Sequence, residues 1–311
     1  MRSSRLTPAE YTEGILEGDR MILSRAITLV ESTLPTDKKL AEEVLQAILP
    51  NTGNSRRIGI TGVPGVGKST FIEEFGPYLL ANEGSLAILT IDPSSSISRG
   101  SILGDKTRME TLANHPKVFI RPSAAGTALG GVAYATREAM LLCEAAGYNN
   151  IIIETVGVGQ SEVEVRNMVD FFMLLMLSGA GDELQGIKKG IMEMADVVVI
   201  NKADGDNVDA AEKARAAYQN ALHLFPPADT GWDTKVVTSS AITGNGLKEI
   251  SECLSDYYMH MKDLGRLDTL RNQQNVQWLH DLISSLQIRW FQDFEGMQDF
   301  RKKMETDVVQ G

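Results

Sequence analysis

The run Gly62-Val63-Pro64-Gly65-Val66-Gly67-Lys68-Ser69 matches GxxxxGK[ST]. In that spacing the glycines let backbone N–H groups converge on phosphate oxygens. Lys68 is placed to reach β- and γ-phosphates, and the Ser69 hydroxyl suits Mg²⁺. Gly62, Gly65, Val66, Gly67, Lys68, Ser69 and Thr70 are therefore the phosphate-binding candidates of this loop. A glycine-rich turn without a ligand is the plain alternative. It is disfavoured because the apolar run Ile58-Gly59-Ile60 leads in and a helical pattern starts near Lys68.

Asn201-Lys202-Ala203-Asp204 follows the apolar run Val197 to Ile200 and supplies a means of choosing the base. The Asp204 carboxylate can accept from guanine N1–H and the exocyclic amine, whereas adenine would set an acceptor against a buried charge. Ser240 and Ala241, in the stretch after the next apolar run, offer further contacts to the base. Four residues alone are a short match that a turn would also satisfy. Their place after a strand, in a chain with a phosphate loop, makes GTP and GDP the expected ligands, with Asn201, Lys202 and Asp204 as base readers.

The acids come next. Ile151-Ile152-Ile153 runs into Glu154, with Gly157 three residues on. Glu154 can hold Mg²⁺ through water or orient the attacking water, and the Gly157 amide can sense the γ-phosphate; a carboxylate that only caps the next turn is the alternative. Asp92 ends the run Leu86 to Ile91, and Asp105 lies in Gly104-Asp105-Lys106-Thr107-Arg108. Ser69, Asp92, Asp105 and Glu154 thus form the expected Mg²⁺ site, although such sites take only one or two carboxylates directly. Lys188, in the glycine-rich stretch 179–190, reaches either a phosphate or a partner's carboxylate, or is simply solvated. Lys68, Asp92, Asp105, Glu154 and Lys188 are the catalytic candidates.

These residues need a scaffold. Seven short apolar runs, from Ile58 to Val237, alternate with helical patterns, and this specifies βαβ units. The fold class is α/β, a P-loop NTPase with a mainly parallel sheet flanked by helices. The motifs fall just after the strands, where such sheets bind ligands. Residues 1–50 read as an N-terminal helical extension opened by a Thr7-Pro8-Ala9-Glu10 capping box, with one helix running to Val30 and another from Lys38 to Leu49. Residues 51–264 are the nucleotide domain, and 265–311 a C-terminal helical segment suited to a dimer contact. The stripe Val276, Leu279, Leu282, Leu286, Trp290 and Phe294 there reads as core or subunit contact.

Composition sets limits. A formal charge of -11 argues against a nucleic-acid partner. No stretch approaches the ~18 apolar residues of a membrane helix, and no apolar run follows the first five residues as in a secretory signal, so a cytoplasmic protein is expected. Cys143 and Cys253 lie in separate helical patterns as core fillers, and the four histidines lack metal-ligand spacing.

Three stretches, GSILGDKTRM at Gly100 to Met109, ETVGVGQSE at Glu154 to Glu162 and GAGDELQGIKKG at Gly179 to Gly190, resemble the MeaB/ArgK/MMAA family. The likeness spans most of the chain and includes LCEAAGY at Leu142 to Tyr148. It implies a GTPase chaperone that docks on an adenosylcobalamin-dependent acyl-CoA mutase, such as methylmalonyl-CoA mutase, gating cofactor loading and protecting or reactivating the enzyme. It also implies slow hydrolysis alone, stimulation by the mutase, and a homodimer. By motif, Asp182 to Lys188 corresponds to a third switch, and Arg108 and Gln160 to transition-state contacts. Ser98-Arg99-Gly100 stands where family members commonly carry Thr-Gly-Gly. Competing readings are a nickel-type metal-insertion GTPase, which would present Cys and His near a switch, and an ATP-dependent kinase, which would require adenine recognition.

Overall fold

A computed structural model describes residues 5–81, 84–91, 109–122, 129–155, 161–179, 189–226, 230–294 and 296–310. Three helices open the chain: α1 (Pro8–Leu16), α2 (Arg20–Val30) and α3 (Pro35–Ile48). Thr7 and Glu10 form the expected capping box on α1. The single helix expected up to Val30 is instead two. Gly18, at φ +75°, turns the chain, and the Asp19 carboxylate then accepts from the amides of Met21 and Ile22 to start α2. α3 begins at Pro35, earlier than Lys38, because proline fits the first helical position.

The strands and helices that follow are β1 (Arg56–Gly62), α4 (Lys68–Leu80), β2 (Leu86–Ile91), α5 (Glu110–Asn114), β3 (Val118–Pro122), α6 (Leu129–Ala145), β4 (Asn150–Thr155), α7 (Ser161–Arg166), β5 (Phe171–Leu177), α8 (Lys189–Met194), β6 (Val197–Asn201), α9 (Val208–Leu222), β7 (Lys235–Thr238) and α10 (Leu247–Asp263). Every apolar run picked from the sequence is a strand. All pair in parallel, in the order β3-β2-β4-β1-β5-β6-β7. β2, β4 and β6 are buried along their full length, as a sheet covered on both faces requires. β1 and β4 are central neighbours, and the connections leave them towards opposite edges. A crevice therefore opens at their carboxyl ends.

One face of the sheet is covered by a core that includes Ile15, Leu23, Ile27, Val44 and Ile48 of α1–α3 together with Leu142 of α6 and Ile151 and Ile153 of β4. At the amino ends of the strands lies a buried polar layer. Arg57 pairs with Glu144 at 2.8 Å, Arg166 with Asp196 at 2.8 Å, and the Tyr258 hydroxyl donates to Asp170 at 2.9 Å.

The chain divides into two compact units, Met1–Leu267 and Asp268–Gly311. Most of α11 (Arg266–Asp293) and all of α12 (Met297–Gln310) belong to the second. Its apolar stripe is not core: Val276, Leu279, Leu286, Trp290 and Phe294 are all exposed, Trp290 by 71 %.

Candidate nucleotide site

β1 delivers the chain to the crevice and Gly62 begins the loop. A Cβ on Gly62 would lie 2.4 Å from the Leu175 carbonyl oxygen, so only glycine lets β1 turn off beside β5 here. Gly67 enters α4 with φ +91° and brings no side chain to cap it. The first amides of α4 therefore face the crevice with the positive end of the helix dipole. Val66 is fully buried and anchors the loop from beneath. Thr70 stands exposed on the first turn of α4.

Lys68 folds back across the loop it will serve. Its ammonium donates to the carbonyls of Gly62 at 2.8 Å and Val63 at 3.4 Å. Burial pulls its pKa below the usual lysine value, opposed by the charges of Glu154 and Glu162. The Ser69 hydroxyl donates to Glu154 at 3.3 Å, bringing together the two hard oxygen donors that suit Mg²⁺. Beneath them Thr155 donates to Thr61 at 2.8 Å, tying the ends of β4 and β1 into one floor.

The base-reading segment is locked to the phosphate loop. Asn201, at the end of β6, donates through Nδ2 to the Val66 carbonyl at 2.9 Å, and Lys202 donates to the Gly65 carbonyl at 2.9 Å. Lys202 holds φ +58°, the one positive φ of a non-glycine residue among the described residues. Ser240, fully buried, donates to Asp204 at 2.5 Å, and the Ala203 amide donates to the Ser239 carbonyl at 2.9 Å. Ala241 is half-buried just beyond. The loops after β6 and β7 thus form one wall whose carboxylate is held in place by a hydroxyl.

Of the residues singled out in the sequence, Ser69 contacts Glu154, Lys68 folds over the loop, Asn201 and Lys202 bond to it, and Ser240 bonds to Asp204. Asp92, Asp105, Gly157 and Lys188, with Arg108, Gln160 and the 182–188 loop, lie outside the described residues. Two features went unread in the sequence: the Thr61–Thr155 floor, and the buried Glu162, whose signal was its position inside the GQSE stretch. Cys143 and Cys253 are both buried, and burial pushes the Cys253 thiol up to about 11, an environment unlike that of a metal-presenting cysteine.

A family model described as "Methylmalonyl Co-A mutase-associated GTPase MeaB" matches residues 23–293. The chain belongs to the MeaB family. Its relatives include a probable GTPase of Mycobacterium tuberculosis, 51% identical over 94% of this chain and 88% of that protein. GTPase ArgK of Escherichia coli is 49% identical over 88% of this chain and 82% of its own length. The mouse mitochondrial methylmalonic aciduria type A homolog is 42% identical over the whole of this chain and 77% of its own. Among solved structures, one titled as a LAO/AO transport system kinase superposes with a TM-score of 0.80 at 38% identity, covering 100% of this chain and 94% of that one. MeaB family membership and the NKxD wall together make this a guanine-nucleotide site on a P-loop GTPase fold.

Proposed function

We propose that this MeaB-family protein is a GTP-hydrolysing chaperone that docks on an adenosylcobalamin-dependent acyl-CoA mutase, methylmalonyl-CoA mutase being the first candidate. It would gate cofactor loading and protect or reactivate the mutase, with hydrolysis slow alone and faster on the partner. The observation that carries this reading is the clamp between base reader and phosphate loop, Asn201 to Val66 and Lys202 to Gly65, in a chain that matches mutase-associated GTPases almost end to end. The clamp ties guanine recognition to phosphate geometry. That is the need of a switch that must report which nucleotide it holds.

In this reading Asp204, oriented by Ser240, accepts from the guanine edge. Lys68 leaves the Gly62 and Val63 carbonyls for the β- and γ-phosphates, to which the first amides of α4 also donate. Ser69 and Glu154 would hold Mg²⁺, with Asp92 and Asp105 as further ligands direct or through water. The ion supplies charge neutralisation on the phosphates. Glu154 alternatively orients the attacking water, and Gly157 and Lys188 respond to the γ-phosphate and to the partner. The exposed apolar face of α11 and α12 serves a homodimer, and the protein works in the cytoplasm. No helix among the described residues is long and apolar enough to cross a membrane.

A paired experiment tests the halves separately. Calorimetric titration with GDP and ADP should show a strong GDP preference; equal affinities would remove the guanine reading. GTP hydrolysis measured with and without purified acyl-CoA mutases should rise with one of them. No response to any would end the chaperone reading while leaving the GTPase intact, and a stable phosphorylated product made from ATP would favour a kinase.

A further inference from the structure

Asn207 stands at the amino end of α9 and is of the residue type that caps helices, yet its side chain makes no capping bond. It is spent instead on the loop that follows β6. Its Nδ2 donates to the Lys202 carbonyl at 2.6 Å, and the Ser178 hydroxyl donates to its Oδ1 at 2.5 Å. A backbone carbonyl can only accept, so the side-chain amide has one consistent orientation, nitrogen to Lys202 and oxygen to Ser178. The Asn207 backbone amide also donates to the Asp204 carbonyl at 3.0 Å. Ser178 follows directly on β5, where Leu177 is in register with Asn201 of β6. One asparagine thus touches the base-reading segment twice and the end of the neighbouring strand once.

Lys202 holds φ +58°, a conformation that is costly for a residue with a Cβ and persists only where the surroundings over-determine it. Asn207 supplies such a constraint by gripping the carbonyl of the bent residue. The bend has a consequence on each side: the Lys202 ammonium reaches the Gly65 carbonyl at 2.9 Å, and two residues later Asp204 meets the Ser240 hydroxyl. We propose that Asn207 is a positioning residue for guanine selectivity, which holds Lys202 in its bend and Asp204 at the wall and, through Ser178, ties both to the end of β5. α9 forgoes a side-chain cap, and the base reader gains a brace. This rests on the guanine-nucleotide reading above and deepens it, with a residue that lies outside the four-residue motif.

The test is Asn207→Asp, compared with the unaltered chain in titrations with GDP and ADP. Aspartate caps a helix as well as asparagine does but offers the Lys202 carbonyl no donor, so this variant separates a capping role from the proposed one. GDP affinity should fall roughly 5- to 10-fold, the scale of one lost hydrogen bond, with ADP affinity unchanged and the melting temperature not lowered. An unchanged ratio of GDP to ADP affinity would overturn the proposal. So would equal losses for both nucleotides with a lower melting temperature, the mark of a merely structural residue. A double-mutant cycle tests the tie to β5: Ser178→Ala should weaken GDP binding about 3-fold in the unaltered background and not at all beside Asn207→Ala, because the hydroxyl acts through that amide. Additive losses would overturn the tie. Should Asn207→Asp not fold, Ser178→Ala decides the matter: a reduced ratio of GDP to ADP affinity supports the proposal, and an unchanged one overturns it. An unaltered chain with no preference for GDP over ADP would instead strike the guanine reading and take this inference with it.

Discussion

Asp204, the proposed base reader, is held by Ser240, whose hydroxyl donates to one carboxylate oxygen at 2.5 Å. Asp204→Asn would turn one acceptor into a donor directed at guanine N1–H. GDP affinity should fall by about 100-fold while xanthosine diphosphate, which presents an acceptor there, gains, as competition titrations would show. Asp196 carries a different prediction. Burial raises its pKa from 3.8 to about 6, against the lowering influence of Arg166 and the Phe172 amide. Between those values the folded chain binds more protons than the unfolded one, so stability is highest below about pH 4 on this group's account and declines as pH rises through 6. Asp196→Asn should flatten that decline in urea melts taken from pH 4 to 7, although it lowers stability overall by leaving Arg166 without its carboxylate. Asp204 stood out in the sequence because four residues in a fixed order after an apolar run mark it as a candidate. The Asp196 pair did not, since Arg166 and Asp196 meet only through the pairing of β5 with β6.

At the scale of elements, the seating of α7 on β1 depends on a residue with no side chain. Gly59→Ala would set a methyl 2.8 Å from Phe172, 2.9 Å from Val165 and 3.0 Å from Val169, all buried and none able to retreat into solvent. Overpacking of this kind costs roughly 1–3 kcal/mol, read as a lower urea midpoint with unchanged slope, and GTP hydrolysis should fall with it as α7 is pushed off the strand that leads into the phosphate loop. The sequence showed β1 as Ile58-Gly59-Ile60 but gave no reason for the glycine, because the partner that demands it lies a hundred residues on. Gly18 and Asp19 teach the same lesson locally. Apolar spacing continues through them, so periodicity alone runs α1 into α2, and only the left-handed turn and the Asp19 cap divide the helix. α5 shows the opposite case, a short helix held from outside: Glu73 of α4 accepts from the Thr111 and Leu112 amides at 2.6 and 3.3 Å.

For the whole molecule, alternating apolar runs were enough to call a parallel sheet, but not its order. β4 inserts between β1 and β2, and nothing in the local pattern of either run names that neighbour. The C-terminal unit poses the reverse problem, a helical stripe readable in sequence that the fold leaves uncovered. Ile283, Leu286, Trp290, Phe291 and Phe294 of α11 and the following turn, with Phe300 and Met304 of α12, remain between 44 and 71 % exposed. Trp290 and Phe294 stack edge to face at 5.9 Å, so the patch is ordered within itself. Contiguous exposed aromatics on this scale are rare on a monomer and carry most of the energy where two chains meet. Trp290→Glu with Phe294→Glu places charges in that face and changes no residue of the unit that holds Lys68 and Asp204. Sedimentation should then show a dimer in the unaltered chain and a monomer in the double variant, with GDP affinity the same in both. A double variant that stays dimeric would move the contact to another surface. One that loses GDP affinity would mean the nucleotide unit depends on the pairing of two chains.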